Sequence, residues 1–520
     1  MDPAQADDNQ PARTLARPKS SFILRAFNRI FTRHLMNMAL LMLAAFTFPG
    51  IFVHPDGFIH DPDLWWHMAN ARLLTATHHF IQMEPYSFTV AGARWVNPEW
   101  LAEIPFWKSY QTLGLTGIFL MTVIALGANL LLIYWRCYWD ARHAGAALWS
   151  SLLGFILLTV NFGPRMILFG YLALSAEMAI LEAVTRQNAS PQHKRLLWLL
   201  PPLFCVWVNL HGSWVIGLAL LGLYIFCGLF SINKGAIEQQ GFSSADRDRL
   251  LLVFLSSCAL LLANPYGWRL VWSPIDMMMN QKLNIGIVQE WQPLSLRSGA
   301  GLAAILAIAL TVVANLVGPR KWKVYELGVL FFAWYAALHH TRFAFLASVL
   351  IIPWLCTDLA RAFFAEQTPK TIPVLNAAFA IGVFWVFVHY FPTEQKLQKA
   401  LAADYPFQSI ASIQPSWRTF NIDVLGGMMD FNFKSTFLDS RLDTFEHHGV
   451  LKDQIDIMEV HDSLALLDKY HVDHALLGAK QPLAYLLERT PGWQVERREG
   501  AGGNAFVLLS KRSSGPEQCR

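Results

Sequence analysis

The stretch LGLTGIFLMTVIALGANLLLIYW, residues 113–135, contains no charged side chain and ends against Arg136. A helix needs roughly 20 predominantly apolar residues to cross the hydrocarbon of a bilayer. In that medium every backbone N–H and C=O must be satisfied within the segment, which a helix does. The pattern repeats on both sides of this stretch, at 35–53, 146–162, 167–183, 196–210, 214–232, 250–263, 301–317, 325–338, 343–357 and 372–391. Several of these are short for a crossing, so the reading is of about eleven helices, with short ones extended by aromatic flanks, tilted or re-entrant. Composition agrees: 54% of the 520 residues are hydrophobic and only 15% charged, where a soluble domain carries about 25% charge. The 20 tryptophans and 36 phenylalanines suit membrane interfaces. The expected fold is mainly α, a polytopic transmembrane helix bundle followed by a small C-terminal α/β soluble domain.

Lysine and arginine placement sets the expected orientation. Arg13, Arg17, Lys19, Arg25, Arg29 and Arg33 precede the first apolar stretch, which puts residues 1–33, polar and disordered by composition, in the cytoplasm. That first stretch carries no evident cleavage site and reads as a retained helix. Alternation then brings Arg136 and Arg142, Arg186, Lys194 and Arg195, Lys234, Arg247 and Arg249, Arg320, Lys321 and Lys323, and Arg361 and Lys370 to the same side. The opposite face receives a large first loop, 54–112, tight turns near Gly163 and His211, a medium loop at 264–300, a turn with His339, and residues 392–520. Within 392–520, strand-like runs lie at 418–424, 436–438, 472–477 and 505–509, and helix-like runs at 454–469 and 483–488. The six cysteines form no CxxC pair, so neither a disulfide framework nor a zinc cluster is indicated. A net charge of +4, without a basic patch interleaved with aromatics, gives no reason to expect a nucleic-acid partner.

The first loop opens with FIHDPDLWWHMANARLL, residues 58–74. If a helix begins at Asp63, Asp63 and His67 stand at i, i+4 on one face. Two carboxylates at a membrane boundary can serve as a general base on an acceptor hydroxyl. They can equally hold a divalent cation, Mg or Mn, beside a phosphate, since hard cations prefer oxygen ligands. A plainer reading makes Asp61 the helix cap, Asp63 a first-turn residue, and Trp65 and Trp66 an interface belt. A second stretch, NPEWLAEIPFWKSY (97–110), reads as an amphipathic interfacial helix whose Glu99 or Glu103 can point into a cleft.

Other polar residues reach the same face in this topology: Arg165 after Gly163-Pro164, Asn209 and His211, Asn264 and Tyr266, Glu290, and His339, His340 and Arg342. Ionisable groups at membrane depth are costly and mark a function or a paired structural role. Each alone is as easily a loop residue or cap. Together, acids on the first loop and cations at Arg165 and Arg342 suit a phosphate, which the guanidinium fork binds.

The segments DPDLWWHMANARLL, EPYSFTVAGARWVNPEWLAE, VNLHGSWVIGL, NPYGWRL, QEWQPL, HHTRFAFL and FLDSRLDTF together resemble bacterial membrane proteins of the GT-C class of glycosyltransferases. That class uses polyprenyl-phosphate-linked sugars and places an essential acid in the first extracytoplasmic loop, the position of Asp61 and Asp63. The stretch Gly426-Gly427-Met428 departs from the pattern, reading as a turn that lacks the expected tyrosine. The resemblance implies an enzyme of the bacterial inner membrane that transfers sugar, with inversion, to a glycan, lipid or protein acceptor. Asp61 or Asp63 would take the acceptor proton, with Glu99 as a further candidate acid. Arg165 and Arg342 would hold the leaving lipid phosphate. His67, His211, Asn264, Tyr266, Glu290 and His340 would line the substrate site, and Arg441 and Asp443 would close over the acceptor. A non-catalytic envelope-assembly protein and a lipid or solute transporter are the rival readings. Paired broken helices, the mark of many transporters, are not evident.

Overall fold

The computed structural model describes residues 34–47, 61–161, 163–185, 191–364 and 373–512. The expectations for residues 1–33, 48–60, Arg186, Lys370 and Cys519 lie outside the described residues. The chain is a mainly helical, multi-pass membrane protein with a small strand-bearing region near its C-terminus. Among the described residues four helices are long and apolar enough to cross a membrane: Leu115–Ala141, Ile167–Thr185, Gly299–Val317 and the composite Thr341–Phe363. A fifth is counted if Val374–Tyr390 and Glu394–Asp404, bent by 56°, form one span. Shorter apolar helices run over His34–Thr47, Ala144–Leu158, Trp214–Cys227 and Val324–His339. The stretch read at 196–210 is broken, with a 3-10 turn at Arg195–Leu199 before the short helix Leu200–Trp207. The stretch read at 250–263 ends a helix, Ser244–Leu260, whose first turn is charged.

One core threads these helices, with Leu130, Tyr171, Phe204, Trp207 and Phe345 fully buried in it. It also encloses a charge. Arg136, read from sequence as a loop cation, lies inside Leu115–Ala141 and pairs with Glu182 at 2.6 Å. Its Nη1 also donates to Val349 O at 2.5 Å. That carbonyl is available because Pro353, four residues on, has no N–H to return to it. The helix widens into a π turn over Ala347–Ile351 at the same place.

The strands fall into two sheets. A hairpin, β1 (Ile232–Lys234) with β2 (Ile237–Gln239), lies between the helices Trp214–Cys227 and Ser244–Leu260. The C-terminal sheet has the order β3 (Thr419–Asn421), β4 (His474–Gly478), β6 (Phe506–Lys511), β5 (Trp493–Glu499). β3 and β4 are parallel, and the other pairings are antiparallel. The expected strand at 418–424 is cut short by a helix, Asp423–Phe431, so Gly426-Gly427 is helical rather than a turn. The run 436–438 forms only a bridge, Thr436 to Ser87 of the first loop. The run 454–469 divides into Val450–Met458 and Ser463–Lys469.

A second core unites this sheet with the first loop. Leu64, Trp65 and Met68 of the helix Pro62–Thr77 and Phe106 of Trp100–Leu113 pack with Phe420, Phe437, Leu476 and Leu508. The two glycines make the approach possible. A Cβ on Gly427 would stand 2.5 Å from Pro62 O, and one on Gly426 would stand 2.4 Å from Leu438 O. Glycine weakens a helix by about 1 kcal/mol, but here it lets two backbones touch.

Candidate functional site

Asp61 caps Pro62–Thr77, with Oδ1 accepting from the Asp63 N–H at 3.0 Å and Pro62 in the first turn. This is the plainer role read from sequence, and Asp61 carries a second one. Its Oδ2 accepts from Arg165 Nε, while Arg165 Nη1 donates to Glu290 Oε1. One guanidinium thereby ties the first loop, the turn after Gly163-Pro164 and the 289–291 turn together.

Asp63 faces the C-terminal region. Its Oδ1 accepts from Ser440 Oγ at 2.5 Å and from Trp66 Nε1 at 3.2 Å. Ser440 is held by its neighbours. Arg441 binds Asp439 through Nε at 2.9 Å and Glu84 through Nη1 at 2.8 Å, all three buried. Arg441 is thus a tie between first loop and C-terminal region, and its acid partner is Asp439 rather than Asp443. Asp443 is exposed.

The third group lies one helical turn along. His67, four residues after Asp63, donates from Nδ1 to Glu103 at 2.8 Å and turns Nε2 to Glu99 at 3.3 Å. Glu103 is fully buried, with Asn97 Nδ2 donating to both its oxygens at 2.9 Å. His211 accepts the Ser213 N–H at Nδ1, 2.9 Å away, so its own ring proton sits on Nε2, 3.3 Å from Glu99 Oε1. Glu99 therefore bridges two imidazoles. Burial pushes its carboxyl up to about 7, against the opposing pull of His67 and Arg342. Burial, aided by Arg342 and His67, drives His211 down to about 3 and keeps it neutral. Burial alone would lower His67, but the Glu103 hydrogen bond and the charges of Glu99, Glu103 and Asp63 outweigh it and raise it.

Arg342 stacks on Trp291 with its guanidinium carbon 5.0 Å from the ring centroid. His340 Nδ1 meets Trp291 O at 2.5 Å. Tyr266 donates to Ile81 O at 3.0 Å, fastening the first loop. Asn264 closes its own turn through Leu261 O, Gly267 O and the Tyr266 N–H. Beside Glu290 a cavity of about 950 Å³, walled by Leu152, Phe155, Ile156, Leu294 and Thr341, opens between Ala144–Leu158 and the start of Gly299–Val317.

The donors that meet the two aspartates bear on whether a cation could sit between them. Asp61 Oδ2 is met by an Arg165 N–H and Asp63 Oδ1 by two donors, whereas magnesium or calcium needs several oxygens free to face it. Among the described residues no group of three or more His, Cys, Asp or Glu is arranged to hold a metal.

Sequence reasoning passed over Ser440, Glu84 and Asp439. The only signal was their company: Asp439 and Ser440 stand beside Arg441 in FLDSRLDTF, and Glu84 opens EPYSFTVAGARWVNPEWLAE, both segments already singled out.

No family model matches the sequence, and no curated protein matches it. Solved structures match in fold. The archaeal oligosaccharyltransferase AglB from Archaeoglobus fulgidus, in complex with an inhibitory peptide and a dolichol-phosphate, aligns with TM-score 0.53 at 11% identity, over 88% of this chain and 70% of that one. The same organism's oligosaccharyltransferase tethered to an acceptor peptide aligns with TM-score 0.54 at 10% identity, over 87% and 70%. ArnT from Cupriavidus metallidurans bound to undecaprenyl phosphate aligns with TM-score 0.51 at 12% identity, over 95% of this chain and 99% of that one. At such identities the likeness is one of fold alone.

Proposed function

We propose that this cleft transfers a sugar from a polyprenyl-phosphate-linked donor to a hydroxyl of an envelope or lipid acceptor on the extracytoplasmic face of a bacterial inner membrane. The observation that carries the reading is the meeting of the first-loop carboxylate Asp61 with Arg165, which also holds Glu290, beside a largely apolar cavity. An isoprenoid chain suits such a cavity, and its phosphate would lie near the guanidinium groups of Arg165 and Arg342. The fold shared with AglB and ArnT, solved with dolichol-phosphate and undecaprenyl phosphate respectively, points the same way. The reading keeps about eleven crossings, from the apolar stretches, with residues 392–520 outside, from the lysine and arginine pattern.

Asp63 is the base in this reading. Ser440 and Trp66 hold one of its oxygens, and among the described residues no hydrogen bond reaches the other. Asp63 takes the acceptor's proton as the acceptor oxygen bonds to the anomeric carbon. The bond from that carbon to the phosphate oxygen breaks, and Arg165 and Arg342 balance the charge on the departing lipid phosphate, the electrostatic contribution that often dominates catalysis. Asp61 acts through Arg165, and the His67–Glu99–His211 group shapes the cleft floor.

The test is transfer of labelled sugar from polyprenyl-phosphate donors to an envelope fraction. Asp63→Asn should abolish transfer at normal expression, while Asp61→Asn should weaken it. Transfer that survives both substitutions would remove the aspartates from the mechanism.

A further inference from the structure

We propose that Arg165 supplies, from within the chain, the positive charge that a divalent cation would bring to this cleft, so that the site works without a metal. The proposal rests on the reading of the cleft as a phosphate-handling site. Its grounds are the positions of three side chains. Arg165 is clamped between Asp61 and Glu290, residues 104 and 125 positions away in the chain, through separate nitrogens of one guanidinium. A bridging cation would draw carboxylates from distant loops together in the same way. The guanidinium carries a permanent charge, since it is not deprotonated in proteins, and it has five N–H groups. Two are directed at the carboxylates, and the others can meet a phosphate. A metal ion offers charge without that planar fork.

The surroundings fit a guanidinium better than an ion. Asp61 Oδ1 is committed to the Asp63 N–H, and Asp63 Oδ1 to Ser440 and Trp66. Both oxygens of Asp61 and one of Asp63 are therefore already engaged with hydrogen-bond donors. His211 is excluded as a ligand through Nε2, because Nδ1 accepts the Ser213 N–H and the ring proton is on Nε2. Remove the arginine side chain, and Asp61 Oδ2 and Glu290 Oε1 are left facing a gap between them. That gap is where a divalent cation should bind.

The experiment is Mn²⁺ titration of the purified full chain, followed by electron paramagnetic resonance. The native chain should leave the free Mn²⁺ signal unchanged in the micromolar range. Arg165→Gly should bind about one Mn²⁺ per chain, and the added substitution Glu290→Gln should abolish that binding. Arg165→Lys, which keeps a cation, should behave as the native chain. Native-chain binding of Mn²⁺ that Asp61→Asn removes would overturn the proposal, and that measurement needs no arginine variant to fold. So would an Arg165→Gly chain that elutes and melts normally yet binds no Mn²⁺. The readout is metal binding alone. Absent sugar transfer would count against the proposed function and leave this result standing.

Discussion

Ser440 Oγ lies 2.5 Å from Asp63 Oδ1, so the C-terminal region places a hydroxyl on a carboxylate of the first loop. A hydrogen bond to a charged group is worth about 1.5–3 kcal/mol, and each 1.36 kcal/mol in a barrier is about tenfold in rate. Ser440→Ala is expected to lower kcat about tenfold or more with KM little changed, because the residue orients Asp63 rather than binding substrate. Ser440→Thr, which keeps the hydroxyl, should restore most of the rate. Equal losses in both variants would show that packing, not the hydroxyl, matters there.

Gly427 sits where the Asp423–Phe431 helix meets the start of Pro62–Thr77. A methyl group there has no space, and overpacking of this kind costs about 1–3 kcal/mol. Gly427→Ala should lower the thermal midpoint. Gly382→Ala, in the Pro373–Tyr390 helix with open space around it, should leave the midpoint unchanged or raise it slightly. Indistinguishable melts for the two variants would contradict the close approach.

Arg441 is enclosed by Glu84 and Asp439, with the Trp95 ring centroid 4.7 Å away. Breaking a buried pair by removing one partner costs about 3–5 kcal/mol, because the other charge stays buried and uncompensated. Arg441→Met should therefore depress the melting midpoint strongly. Adding Glu84→Gln should recover part of the loss by removing one stranded charge.

Glu99 titrates near 7 in the folded chain against an ordinary value of 4.5. Between those values the folded state holds a proton that the unfolded state releases, so its contribution to stability falls as pH rises. His211, held neutral, works in the opposite sense below pH 6.5, so the comparison is made between two chains that both keep it. The stability of the native chain relative to Glu99→Gln should decline from about pH 4.5 to about pH 7, read from chemical or thermal melts. A flat difference across that window would mean that Glu99 is not the buried, proton-holding group.

The membrane character was legible because a charge-free stretch such as 113–135 has one stable home. The strands β4 and β6 were legible because both faces are buried and their sequences, HALLG and FVLLSK, are apolar. β5 was missed because it pairs only with β6 and shows solvent a charged run, WQVERRE, which carries no apolar alternation. The 423–431 helix was misread because two glycines argue for a turn unless the backbone they touch is known. At the site, Asp61, Arg165 and Glu290 could be named one by one from their residue types and their place beside membrane segments. Their joining is a matter of how three loops meet, and no local spacing encodes that. Ser440 stood out only by its place beside Arg441, since serine is common in loops and its partner lies far away in the chain.

The sheet order has a consequence for how the protein comes into being. β6 lies between β4 and β5, so the sheet cannot close until residues 506–511 have been synthesised. The first loop shares that core, and its Asp63 waits for a hydroxyl from position 440. A nascent chain can thread most of its helices into the bilayer while its outer loop is still unfinished. Assembly of the cleft therefore follows the synthesis of residues 506–511, and a chain cut short before that strand would be inserted with no organised site.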